Sequence, residues 1–157
     1  MSFRTYIRAL ALLTGTVYGA LIWTGVTAVM PEAGGLLPFD LRATGYTEAE
    51  AAAFLAALSA DGRAACLGPV AMLDTLFPPL LGLLLASLIW RWGRPLLAPV
   101  PFLYVAVDLW ENAVVGRMLA SNDAALAGSA SNLTQAKFAL LAMSLALVWM
   151  SWRERAR

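Results

Sequence analysis

Histidine is missing from all 157 residues. Its absence excludes His-ligated haem, imidazole-containing zinc sites and any catalytic triad with histidine as base. Cysteine is nearly missing too. Cys66 is alone, so no internal disulfide can form, and with no second thiol to resolve it the residue reads as inert. Charge is scarce. Asp, Glu, Lys and Arg make up 13% of the chain and hydrophobic residues 61%, where a soluble domain has about a quarter and about a half. Net charge is only +1, and no basic cluster alternates with aromatics, which argues against nucleic acid as a partner. No phosphate-cradling loop or nucleophile motif appears, so an enzyme is the less favoured reading without being excluded. A lipid-modifying membrane enzyme using carboxylate acid–base chemistry is the weakest of three functional classes.

What the sequence does have is long apolar runs. A membrane-spanning helix takes roughly 20 mostly apolar residues. Four such runs occur, at about 9–30, 69–90, 98–119 and 133–152. They predict an all-α, polytopic membrane protein, a single domain over 1–157 built as a bundle of four transmembrane helices. The first run is longer than the 7–15-residue core of a signal peptide, so it reads as a retained helix. Within it Gly15 and Gly19 form a GxxxG pair, extended by Thr16, Ala20 and Thr24. That pattern predicts close helix packing, within the chain or in a homo- or hetero-oligomer.

The first polar connection contains Thr47-Glu48-Ala49-Glu50, a capping box with Thr47 as N-cap and Glu50 three residues on. It predicts a short amphipathic helix over 48–59, with Ala51, Phe54, Leu55 and Leu58 on one face and Gly62 as the stop. This helix would lie on the membrane surface or over the mouth of the bundle, or serve as a solvated connector. Gly68-Pro69 suits the start of the second span, and Pro78-Pro79 predicts a kink or break within it, with neighbours satisfying the freed carbonyls. Pro99 and Pro101 leave two starts for the third span, near Leu96 or at Pro101.

With four spans both termini share a side. That side holds Arg4, Arg8, Arg91, Arg94, Arg153, Arg155 and Arg157; the other holds Arg42, Arg63, Arg117 and Lys137. The positive-inside rule then places both termini in the cytoplasm.

Charges inside spans are costly and mark functional positions by default. Asp108, Glu111 and Asn112 sit at helical spacing on one face, extended by Tyr104 and Val115. Asp74 lies at a similar depth in the second span. These four are the candidate ligand- or ion-binding residues, with Asp108 and Glu111 weighted above Asp74. Tyr104, Arg117, Arg63, Arg42 and Asp40 are the candidate supporting residues, the arginines as partners for the acids. No cofactor is evident. An all-oxygen set suits a hard cation such as Na⁺, Ca²⁺ or Mg²⁺, and equally a proton relay or an amine-bearing ligand. The competing reading is that the acids pair with arginines and simply join helices.

The segments Phe39-Asp40…Gly45-Tyr46, Leu73-Asp74…Phe77-Pro78 and Asp108…Glu111-Asn112 together resemble a loose, functionally uncharacterised family of small bacterial four-span integral membrane proteins. The resemblance implies a multi-pass protein of the bacterial inner membrane and one constellation at these positions; it implies no mechanism. Two further functional classes therefore stand: a protein that binds or conducts a cation, proton or small amine, and a non-catalytic accessory or assembly subunit of a larger membrane complex.

Overall fold

The computed structural model describes residues 2–155, with the backbone alone at Arg155. It is all-helical, with no strand among the described residues. Four long helices, α1 (Phe3–Val29), α3 (Ala60–Arg91), α4 (Pro101–Ser121) and α5 (Ala127–Arg155), are joined by short turns and by one small helix, α2 (Glu48–Ala57). α1 packs on α3, α3 on α4, and α4 most extensively on α5. Three of them, α1, α3 and the α5 segment, are long and apolar enough to cross a membrane. α4 has 21 residues, enough to span, but carries Asp108, Glu111 and Arg117.

The capping box forms as expected. The Thr47 hydroxyl accepts from the Glu50 N–H, and the Glu50 carboxylate accepts from the Thr47 N–H at 2.7 Å. Those bonds hold the Glu50 carboxyl below its usual range. The predicted apolar face is buried whole: Ala51, Phe54, Leu55 and Leu58 join Phe39, Tyr46, Val115 and Met118 in one core cluster at the end of the bundle. α2 therefore closes that end and is not a solvated connector.

Its C-terminal end departs from expectation. The helix stops at Ala57, Leu58 is extended, and the Ser59 hydroxyl accepts from the Gly62 N–H to cap the next helix. Gly62 is thus in the first turn of α3 and is no stop. A Cβ there would lie 2.6 Å from Glu32 Cβ, so the site needs glycine for close approach. α3 accordingly begins at Ala60, not at Pro69. It takes Pro69 into a π-turn, Cys66–Val70, whose wider hydrogen bonding removes the need for the missing N–H. A second π-turn, Gly25–Val29, ends α1. Pro78 and Pro79 do not break α3. Pro101 is the first residue of α4, so of the two predicted starts the helix takes the later one, and α5 begins six residues before Leu133.

Gly15 and Gly19 make no helix contact among the described residues; no atom of another helix lies within 4 Å of a Cβ built on either. α1 meets α3 through its other face, where Thr14 is buried and Tyr18 stacks on Phe77 at 4.9 Å. The glycine that permits helix contact is Gly82 of α3, whose Cβ would fall 2.3 Å from Val105 Cγ2 on α4. Gly82→Ala should therefore lower stability by about 1–3 kcal/mol through overpacking, and adding Val105→Ala should recover much of it. Gly19→Ala should have no destabilising effect on the isolated chain. Melting of the purified variants in detergent distinguishes these outcomes.

Candidate functional site

α4 turns Tyr104, Asp108, Glu111 and Val115 into the bundle, as the spacing predicts. Opposite them, α5 presents Thr134 and Lys137, three residues apart and both buried. The Lys137 ammonium lies 2.6 Å from Glu111 Oε2, 3.1 Å from Asp108 Oδ1 and 3.4 Å from Asp40 Oδ1. Thr134 Oγ1 donates to the other Glu111 oxygen. Glu111 is fully buried and Asp108 is 3% exposed. An isolated charge in such surroundings is prohibitive, so this pairing is a condition of the fold.

Asp40 reaches Lys137 because of its flanks. Phe39 is buried against Tyr46 and Phe54, with ring centroids 4.8 and 4.7 Å away. The Tyr46 N–H donates to Ser131 Oγ of α5 at 2.8 Å. Gly45 just before it has φ +85° and sits so close to α5 that a Cβ would meet Ser131 Oγ at 2.5 Å. The loop is pinned on both sides of Asp40, and its 3₁₀ turn, Phe39–Leu41, directs the carboxylate inward. Burial, reinforced by the negative charge of Glu111, pushes the Tyr46 hydroxyl above its ordinary range.

The arginines expected to neutralise the acids do not. Arg42 donates to Leu37 O at 2.7 and 3.0 Å and lies over the Phe39, Tyr46 and Phe54 rings. Arg63 donates to the Leu119 carbonyl and to Asn122 Oδ1, closing the C-terminal end of α4. Arg117 is exposed and bonds its own helix at Ala113 O. The guanidinium groups of Arg42 and Arg63 bond carbonyls or lie over aromatic faces, and the lysine of α5 takes their place beside the acids. The signal was available: a lysine four residues into the 133–152 run carries the same intramembrane cost as the acids.

Asp74 and Asn112 have separate roles. Pro78 has no N–H for the carbonyl four residues back, which is that of Asp74. Asn112 Nδ2 donates to this freed carbonyl at 3.1 Å. Asn112 Oδ1 is then left buried without a hydrogen-bond partner among the described residues. Asp74 is 7% exposed, and among the described residues its carboxylate has no hydrogen bond or ion pair. Asp74 and Asp40 border two cavities, of about 170 and 260 Å³. Tyr104, Asp108 and Lys137 line the first, Asn112 the second. Asp108 and Glu111, weighted above Asp74 in the sequence, are the two that the lysine holds most closely.

Comparison with protein families, with curated proteins and with solved structures finds no match to this chain.

Lys137→Met would leave two buried carboxylates, those of Asp108 and Glu111, and the partly exposed one of Asp40 without their shared counter-charge. It should cost about 3–5 kcal/mol, with partial recovery in the Lys137→Met/Glu111→Gln double variant, whereas Arg117→Met should stay within about 0.5 kcal/mol of the parent. Denaturation of the three variants in detergent measures the difference, and equal losses for Lys137→Met and Arg117→Met would count against the lysine as the cluster's counter-charge.

Proposed function

We propose that the chain is a four-span membrane protein, with both termini in the cytoplasm, that binds a cation at its interior carboxylate cluster. Large hydrophobic side chains on the outer faces of the long helices support the membrane reading: Leu12 and Trp23 on α1, Met72 on α3, Trp110 on α4 and Trp149 on α5 are all exposed. α4 joins the other three on the same grounds. Two of its three charges face inward toward Lys137, and the outward Arg117 is close enough to the helix end to extend to the interface. Its outer face, with Phe102, Leu103 and Trp110, is apolar.

One observation carries the binding reading. Asp74 is buried beside a cavity, and among the described residues its carboxylate has no hydrogen-bond or ion-pair partner. Four carboxylates, those of Asp40, Asp74, Asp108 and Glu111, converge where Lys137 supplies one positive charge, and it reaches three of them. A buried carboxylate without a counter-charge favours taking up a proton or another cation. In nanodiscs, the parent should gain melting temperature, saturably, with sodium, calcium or an ammonium ion, or on acidification; Asp74→Asn should lose that response. If no cation and no change of pH separates the two proteins, the binding reading falls.

Topology is tested independently. On a Cys66→Ala background, cysteines at Thr44 and Ala125 should label from outside intact cells, and one at Leu96 only after permeabilisation. Labelling of position 96 from outside would invert the threading.

A second reading, as an accessory or assembly subunit, draws on the outward, unpacked Gly15 and Gly19. A protein that co-elutes in mild detergent and is lost from Gly19→Leu would bring that reading forward.

A further inference from the structure

The walls of the smaller cavity narrow the kind of cation that Asp74 could take. The space is about 170 Å³ and is bounded by all four long helices and the turn carrying Asp40. Its sides are hydrocarbon, contributed by Tyr18, Ile22, Phe77, Phe138 and Leu141. Its polar lining is Asp74, Asp40, Asp108, Lys137 and Tyr104. Lys137 already engages Asp108 and Asp40, so the carboxylate left to receive a ligand is that of Asp74.

A metal ion is a poor fit to this space. Calcium exchanges its water for about 6–8 oxygen ligands, and magnesium for a near-ideal octahedron. Among the described residues, no group of three or more His, Cys, Asp or Glu side chains is placed to hold a metal ion. The surfaces beside Asp74 are largely carbon and cannot replace the missing ligands. An ammonium group asks for much less. One carboxylate can accept its N–H and balance its charge. Aromatic faces attract the positive head, and the hydrocarbon it carries can occupy the apolar walls.

We infer that this cavity binds an organic monoamine, its ammonium group on Asp74 and a compact aromatic or branched body against Phe77, Phe138 and Leu141. This names the ligand class for the cation-binding reading and rests on it. The size follows from volume: a cavity of about 150 Å³ lined by Leu, Ile and Phe holds benzene, so the body is one ring or its aliphatic equivalent on a short linker. The single charge follows from Lys137. A diamine would bring its second ammonium against the lysine, which already occupies the Asp108–Glu111 side.

Titration of the full chain in nanodiscs tests the inference, with benzylamine, benzyl alcohol, methylammonium, sodium and calcium as probes. Benzylamine should bind saturably, and benzyl alcohol, which has the shape without the charge, at least about tenfold more weakly. Asp74→Asn should weaken benzylamine by about tenfold to a hundredfold. Leu141→Phe fills the space and keeps the carboxylate, so it should exclude benzylamine while leaving methylammonium binding in place. This second variant decides the matter if Asp74→Asn fails to fold. Asp74-dependent binding of sodium or calcium without benzylamine would overturn the monoamine while leaving the cation reading standing. Binding of none of the probes would overturn the monoamine, and the cation reading falls with it if acidification also fails to separate the parent from Asp74→Asn. Benzylamine uptake that survives both substitutions is partition into lipid and overturns the inference.

Discussion

The arrangement depends on one ammonium group. Lys137 stands where α5, α4 and the first connection meet, and its three carboxylate partners come from both of the other segments. Without it, Asp108 and Glu111 would turn the inner face of α4 into a region of uncompensated negative charge, and α4 could not pack on α5 as it does. The same contact fixes a loop. Asp40 belongs to a connection with few regular hydrogen bonds, and its carboxylate ties that connection to the interior. Removing water from such a group is costly, so the geometry survives only because each flank of Asp40 is also anchored, by Phe39 in the aromatic cluster and by the Tyr46–Ser131 bond.

A division of labour among polar residues follows. Buried ion pairs often specify packing without adding much stability, and the Lys137–Asp108–Glu111 group fits that description. Asn112 repairs the backbone where Pro78 cannot donate. Asp74 does neither. Its backbone carbonyl is satisfied and its side chain is not, so the residue is held in place by Asn112 while its carboxylate stays available. A proline four residues along the helix thus has a direct bearing on how an acid is presented.

Local chemistry was legible in the sequence and tertiary pairing was not. The Thr47–Glu50 box, the buried face from Ala51 to Leu58 and the inward stripe of Tyr104, Asp108, Glu111 and Val115 all follow from spacing within one helix. The identity of the counter-charge does not, because it depends on how α5 is rotated against α4; the three arginines offered by the sequence, Arg42, Arg63 and Arg117, all bond elsewhere. The break between α2 and α3 was hidden for another reason. Leu58 and Ser59 read as helix continuation, since an apolar residue followed by serine suits either a last turn or a new cap. The expectation that Asn112 would act as a ligand missed its carbonyl partner, although Pro78 had advertised a carbonyl in need of a donor. GxxxG marked a face of α1 that the chain itself leaves uncovered, while the contact glycine, Gly82, has no partner glycine at that spacing.

The two π-turns, Gly25–Val29 and Cys66–Val70, pack beside one another, and Gly25 and Val70 both border the smaller cavity. A π-turn takes one residue more than an α-turn, so the helix after it is out of phase with the helix before it by about 100°. α3 therefore has two angular registers. Ala60–Ala65 is oriented for the core beneath α2, and Asp74 belongs to a second register that begins only after Val70. A single wheel drawn through the whole of α3 misplaces one half or the other. The extra residue works as an angular offset between the closed end of the bundle and its charged interior: were the same residues wound as regular α-helix throughout, Asp74 would be turned about 100° away from the cavity.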